Sequence, residues 1–378
     1  MLNKLLSIAN KIVPKGTFIS FSSFPDFSDN SRSLFEYIQT HDTVFSKYKI
    51  VWHIDNFPNE IDVSKYKNTI FVRKKTIRAL WYFMRSKYIF STHGLYNVIK
   101  TTKKQRVCLL WHGMPLKKIG YLYEQDAAIG VQEADYFFVT SRLFQTLFSK
   151  IFRAVDSQII ISGQPRNDEL FNCETQTALT IKGELGENLV FYLPTYRKSN
   201  IRNTIDGDIE IDKFFGASKK EWIALDEKFH SAGKNLVIKP HPMETANNVK
   251  FFSSLTNVKV IDDVWLKRKG LTLYKLLSQC EALITDYSSV YVDYLILNRP
   301  IIFFVPDIEK YNDSRGFVFE NIYDYLPGPV VKNFIDIPQI LLDVDKYKDK
   351  RNQVNSLFNE VNDSTACSNI MNFISSLM

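Results

Sequence analysis

The sequence predicts an α/β protein built from two doubly wound domains that face each other, and three observations carry that expectation. Short β-rich apolar runs alternate with stretches of helical periodicity along the chain, the pattern of βαβ units and parallel sheets. The 378 residues are long for one ordinary domain and suit two, each with its own core. The aromatic content of 14%, weighted toward 29 Phe and 19 Tyr, fits strands buried on both faces.

The first element is helical. The run MLNKLLSIANKIV spaces Leu and Ile at helical intervals around Lys4 and Lys11 and has no small-residue cleavage site, so it reads as an amphipathic helix rather than a signal peptide. Strands are expected at residues 17–21, 48–54, 69–73, 88–92, 106–112, 136–140 and 158–162, with helices at 31–39, 76–85 and 141–152. A second series places strands at 188–193, 235–239, 258–261, 282–286 and 301–305 and helices at 219–232, 272–278 and 290–297. The turn signal Gly163-Gln164-Pro165 marks the division. It gives residues 1–165 and 166–334 as domains, and 335–378 as helices that can pack back on the first.

Composition excludes several classes. With 45% hydrophobic and 24% charged residues the chain is globular. The net charge of +7 suits anionic small molecules, a phosphate-rich polymer or an acidic membrane, and falls short of a dedicated nucleic-acid binder. Cys108, Cys173, Cys280 and Cys367 form no CxxC pair, so neither a zinc site nor a disulfide framework is expected, and a reducing cytosolic setting follows. The longest apolar run, 294–305, is broken by Asn298, Arg299 and Pro300 and is too short to span a bilayer. Neither G-x-G-x-x-G nor G-x-x-x-x-G-K-[ST] is present, so any nucleotide is held without a glycine-rich phosphate loop.

The informative residues fall at the carboxyl ends of expected strands, where open α/β sheets bind ligands. Trp111-His112-Gly113-Met114-Pro115-Leu116 follows one strand, and a neutral imidazole there can take a proton from an attacking hydroxyl. In Lys239-Pro240-His241-Pro242, two prolines fix a histidine that can stabilise charge on a transferred phosphoryl group. Thr285-Asp286-Tyr287-Ser288-Ser289 opens a helix with Ser288 or Ser289 as N-cap, a metal-free cradle for a diphosphate. Arg166 can pair with phosphate, and Pro194-Thr195-Tyr196-Arg197 offers a hydroxyl, a ring and a guanidinium. His93 also ends a strand and is a candidate for the acceptor side. Asp206-Gly207-Asp208, which looks like a D-x-D metal motif, fits a β-hairpin over 203–212 better.

Taken in order, these motifs resemble the CDP-glycerol glycerophosphotransferase family, whose enzymes prime and polymerise teichoic acids and related glycerol-phosphate polymers. The matching pieces are Trp111-His112-Gly113 with Pro115-Leu116-Lys117, Gly163-x-Pro165-Arg166-Asn167-Asp168, Pro194-Thr195, Lys239-x-His241-Pro242, Asp286-Tyr287-Ser288-Ser289 with Asp293, Arg299-Pro300 and Arg315-Gly316-Phe317. The segment Asp29-Asn30-Ser31-Arg32 through Glu36-Tyr37 extends the likeness to nearly the whole chain, with Met114 standing where many members carry Thr.

The resemblance implies a GT-B fold, with two Rossmann-like domains and the active site in the cleft between them, and a cytoplasmic enzyme peripheral to the membrane. It implies CDP-glycerol as donor, CMP as leaving group and a lipid-linked or polymeric acceptor. His112 would orient or deprotonate the acceptor hydroxyl. His241, Arg166, Ser288, Ser289 and the helix N-terminus would hold the diphosphate. Pro194 and Thr195 would line the nucleotide pocket, and Asp286 and Asp293 would orient these groups or contact glycerol. Gly113, Met114, Pro115, Leu116, Lys239 and Thr285 would complete the substrate contacts. No ligand cluster asks for a divalent ion, and no cofactor beyond the donor is required. Lys4, Lys11 and Lys15, with Arg73-Lys74-Lys75 and Lys103-Lys104, suit an anionic membrane face. Rival readings are a CDP-ribitol transferase, a sugar-nucleotide glycosyltransferase of the same fold, and a non-catalytic assembly partner at the membrane. The acceptor, whether one unit or many are added, the oligomeric state and whether a divalent ion assists stay open.

Overall fold

The computed structural model describes residues 2–41, 44–57, 62–66, 68–194, 198–199, 204–205, 215–240, 249–343 and 345–378. The chain divides into two compact units. The first holds Met1–Met114, Ile119–Phe171 and Asn359–Met378, and the second Pro115–Lys118 and Asn172–Phe358.

In the first unit seven strands form one parallel sheet: β1 (Phe18–Ser22), β2 (Lys49–Ile54), β3 (Thr69–Arg73), β4 (Ser86–Ser91), β5 (Arg106–Leu109), β6 (Tyr136–Val139) and β7 (Ile159–Ile161). Their order, β3-β2-β1-β4-β5-β6-β7, shows the chain walking outward from β1 to β3 and returning to the other side of β1 at β4. The strands and the loop after β1 bury aromatic residues in a common cluster. Phe21 stacks on Phe90 at 5.0 Å between centroids and Phe27 meets Trp52 edge-on at 4.9 Å.

Two helices close this core. Leu34, Phe35 and Ile38 of the helix Asp29–His41 and Cys367, Ile370, Met371 and Ile374 of the helix Ala366–Ser376 are buried in the same cluster. The second is fixed from a distance, because both oxygens of the Asp168 carboxylate accept its first N–H groups, Ala366 and Cys367, at 2.9 Å each. The amphipathic start forms the helix Leu2–Ile12, whose Leu6 and Ala9, with Val13 just after it, pack on Phe83, Met84, Ile89, Leu95 and Ile99.

The second unit carries a six-stranded parallel sheet and a separate antiparallel pair. Its strands are β8 (Leu189–Leu193), β9 (Lys198–Ser199), β10 (Thr204–Ile205), β11 (Asn235–Ile238), β12 (Val258–Val260), β13 (Cys280–Thr285), β14 (Ile301–Phe304) and β15 (Val330–Val331). The sheet order is β12-β11-β8-β13-β14-β15, and β9 pairs with β10 alone. Trp222 from the helix Lys219–Ser231 packs on Phe252 and Phe334. That helix begins with a reciprocal cap, Ser218 accepting from the Glu221 N–H while the Glu221 carboxylate accepts from the Ser218 N–H.

The structure differs from these expectations in several places. The strand expected at 106–112 stops at Leu109, because Trp111 (φ 58°) and Gly113 (φ 129°) leave extended geometry. The two-residue strand β15 was not foreseen; it follows Pro327-Gly328-Pro329 and is too short to show a period. By contact, the chain divides after Phe171 rather than Pro165, and only Asn359–Met378 of the tail belong to the first unit, since the helix Lys348–Phe358 stays in the second. An antiparallel pair joins Lys198–Ser199 to Thr204–Ile205, and of the hairpin expected over 203–212 only Thr204 and Ile205 are among the described residues. Asp206, Gly207 and Asp208 lie outside the described residues.

Candidate active site

Each sheet has one point where the chain reverses its direction of travel, and there the loops leave the carboxyl ends of adjacent strands in opposite directions. In the first unit that point lies between β1 and β4, in the second between β8 and β13.

At the first point, the loop after β1 enters the helix Asp29–His41 through Asp29 (φ 59°). The buried Asn30 side chain donates to the Leu110 and Trp111 carbonyls at 3.2 and 3.0 Å and to Gln164 Oε1 at 2.8 Å. Its Oδ1 accepts the Arg166 N–H at 3.2 Å. One amide thus satisfies backbone groups freed where β5 ends and the turn after β7 begins. The Arg166 guanidinium, buried, donates to Asp29 Oδ1 at 2.7 Å and to the His112 carbonyl at 3.2 Å.

His112 sits half-buried on this frame. Its Nδ1 lies 3.1 Å from the Thr92 carbonyl. A carbonyl oxygen only accepts, so Nδ1 carries the proton and Nε2 keeps its lone pair. Burial lowers the pKa of this imidazole below the ordinary value; the Thr92 bond and Asp29 act the other way, and Arg166 adds to the lowering. The ring of His93 lies parallel to it, 3.8 Å between centroids and within 10°.

At the second point, Pro194 ends β8 half-buried and Thr285 closes β13, donating its hydroxyl to the Leu193 carbonyl at 3.0 Å. Asp286 and Tyr287 are buried, and the Tyr287 hydroxyl donates to Asp307 Oδ1 at 2.8 Å. Ser288 and Ser289 are half-buried before the short helix Val290–Tyr294. Asp293 inside that helix is fully buried and accepts the Tyr274 hydroxyl at 2.6 Å. Lys239, buried at the end of β11, pairs with Asp263 at 2.9 Å. Pro115–Lys118 runs antiparallel to Gly316–Val318, with Lys118 N–H donating to the Gly316 carbonyl at 3.1 Å and Val318 N–H to the Leu116 carbonyl at 2.9 Å.

Several of the expected site residues have partners within the protein. Arg166, expected on phosphate, is turned back onto Asp29 and the His112 loop, because the 3₁₀ turn Pro165–Leu170 that carries it faces that carboxylate. Asp293, expected near glycerol, is committed to Tyr274. The serines make only a weak cap: Ser289 has helical backbone angles and no side-chain cap bond, and Ser288 Oγ is 3.5 Å from the Val290 N–H. Met114 and Leu116 are buried. His241 and Thr195 lie outside the described residues. Asn30 and Thr92 were not singled out as site residues. Asn30 had a legible signal, a polar residue opening the helix after the first strand, whereas Thr92 acts through its carbonyl, which no residue type reveals.

Among the described residues no group of three or more His, Cys, Asp and Glu side chains is placed to hold a metal ion.

Comparison with known proteins accords with this architecture. The family model for CDP-Glycerol:Poly(glycerophosphate) glycerophosphotransferase matches residues 5–376. A teichoic acid poly(glycerol phosphate) polymerase of Bacillus spizizenii is 26% identical over 93% of this chain and 91% of its own length. A teichoic acid glycerol-phosphate transferase of Staphylococcus aureus is 26% identical over 92% of this chain and 88% of its own. Among solved structures, the wall teichoic acid polymerase TagF aligns over 99% of this chain and 92% of that chain, with a TM-score of 0.79 and 24% identity, a likeness in fold that makes the paired Rossmann-like domains GT-B-like.

Proposed function

We propose that this chain, which belongs to the CDP-glycerol:poly(glycerophosphate) glycerophosphotransferase family, moves glycerol 3-phosphate from CDP-glycerol to a hydroxyl of a polymeric or lipid-linked acceptor. In this reaction the acceptor oxygen attacks the phosphorus that bears glycerol, the bond from that phosphorus to the bridging oxygen of the diphosphate breaks, and CMP leaves with the electron pair. Positioning and charge stabilisation carry most of such a transfer.

His112 takes the proton from the acceptor hydroxyl on Nε2. The observation that carries this is the bond from Nδ1 to the Thr92 carbonyl, which leaves Nε2 as the acceptor nitrogen. Arg166, Asp29 and Asn30 hold the loop that presents the ring. On the donor side, Pro194, Thr195, Asp286, Ser288, Ser289 and His241 meet the nucleotide and its phosphates, while Thr285 braces the end of β8 through the Leu193 carbonyl and Asp293 and Lys239 are held by Tyr274 and Asp263.

The experiment is incubation with CDP-glycerol, CDP-ribitol and a set of nucleotide sugars in the presence of a glycerol-phosphate oligomer. CMP release confined to CDP-glycerol supports the reading, and release from CDP-ribitol or a nucleotide sugar at an equal or higher rate refutes it.

The acceptor reading extends to the membrane. No helix of the described residues is long and apolar enough to cross one. Leu2, Leu5, Ile8 and Ile12 form an exposed stripe on the first helix beside Lys4 and Lys11, and Ile77 and Trp81 are exposed on the helix against which it packs. Such a face enters the headgroup region of an anionic leaflet. At about 1 kcal/mol per basic residue, replacing Lys4 and Lys11 together by Ala weakens binding to phosphatidylglycerol vesicles roughly 30-fold. Equal co-sedimentation of variant and wild type would remove this face from the account.

A further inference from the structure

The transfer as written assigns no task to His93, yet its ring lies flat against the ring of the base. Its placement is built rather than incidental. His93 Nδ1 is 2.8 Å from the Thr92 hydroxyl, and Phe24 meets the ring edge-on at 5.7 Å. Thr92 thus serves both imidazoles, holding His93 through its side chain and the Nδ1–H of His112 through its carbonyl. Trp111 also leans on His112, at 4.2 Å and 32°.

Two imidazoles in parallel contact cannot both carry a proton without strong repulsion, so the pair takes up at most one charge. The charged groups that act on the pair are Asp29, which favours the cation, and Arg166, which disfavours it, with Lys74 adding to the second effect at His93.

We propose that His93 is a positioning residue for the transfer: stacked on His112, it fixes the plane of that ring and shields one face of it from water. The base then stays unprotonated to lower pH than a free imidazole would, with Nε2 left as the acceptor nitrogen. The inference rests on His112 being the base, and its test separates the two.

CMP release from CDP-glycerol, with a glycerol-phosphate oligomer as acceptor, is measured from pH 4.5 to 8.5 for the wild type and for His93→Ala, His93→Phe and His112→Ala. His93→Ala is expected to lower kcat about tenfold at neutral pH and to move its acid limb up by roughly one pH unit, with little change in the KM for CDP-glycerol. His93→Phe, which keeps a flat ring on His112, is expected to return the limb to its wild-type position. A parallel titration of the His112 ring by NMR in the substrate-free protein is expected to show the same upward shift in His93→Ala. An unmoved limb and an unmoved ring titration in His93→Ala, or a Phe variant no different from the Ala variant, overturns the role of His93 while leaving the base intact. Near-normal turnover in His112→Ala overturns the base itself, and the positioning role with it.

Discussion

At the switch point of the first unit the polar residues are tied to one another, and two imidazoles are left at the edge. Asp29, Asn30, Gln164 and Arg166 form a closed frame, and His112 and His93 stand on it. At the switch point of the second unit four described polar residues are paired within the protein: Asp293 to Tyr274, Asp307 to Tyr287, Lys239 to Asp263, and Thr285 to the Leu193 carbonyl. The first region presents two imidazoles on a polar scaffold, while the described residues of the second show paired scaffold. Here a guanidinium and a carboxylate near strand ends, Arg166 and Asp293, fix neighbouring side chains, and such support keeps a site preorganised.

The sharpest way to break this comparison is to remove a strut from the first frame. The Asp29–Arg166 pair is nearly closed to solvent. Asp29→Ala removes one partner of this buried ion pair, and the stability to urea should fall by about 3 kcal/mol. A loss below about 1 kcal/mol would mean that the frame is dispensable.

A second test uses pH. His53, fully buried in β2 with Nε2 2.9 Å from Ser20 Oγ, has its pKa lowered to about 3, chiefly by burial and further by Lys74. The unfolded chain binds a proton near pH 6.5 that the native state refuses, so this stability is complete above about pH 6.5 and is lost as pH falls toward 3, at up to about 1.4 kcal/mol per pH unit. His93 contributes in the same direction. A His53→Gln variant should therefore lose stability less steeply between pH 6 and 4 than the wild type, by one proton's slope. Identical slopes would show that this ring does not titrate on unfolding.

The smallest effect distinguishes strut from ligand in the second unit. Tyr274→Phe removes one buried hydrogen bond to Asp293 and should cost about 1–2 kcal/mol of stability while leaving the KM for CDP-glycerol unchanged. A tenfold rise in that KM would return Asp293 to the donor site.

Local patterns were legible in the sequence, and long-range partners were not. The strand Thr69–Arg73 has its expected bounds because its limits are local: Asn68 before it takes a left-handed turn, and Thr76 after it caps the next helix through the Ala79 N–H. The end of β5 is not local, since Asn30, 80 residues earlier, captures the Leu110 carbonyl. Likewise the motif around Arg166 marked the right turn, but its partner Asp29 lies 137 residues away, and residue type alone does not say whether a guanidinium meets phosphate or a carboxylate. His93 was visible as a histidine ending a strand; the stack on His112 depends on β4 and β5 being neighbours in the sheet.

The account turns on His112, and rapid-quench measurement of CMP formation in His112→Ala, paired with equilibrium binding of CDP-glycerol, tests it most directly. The prediction is a chemical step slowed by about two to four orders of magnitude, with donor affinity within about twofold of wild type. Turnover near the wild-type rate, or a loss wholly explained by weaker donor binding, would contradict it.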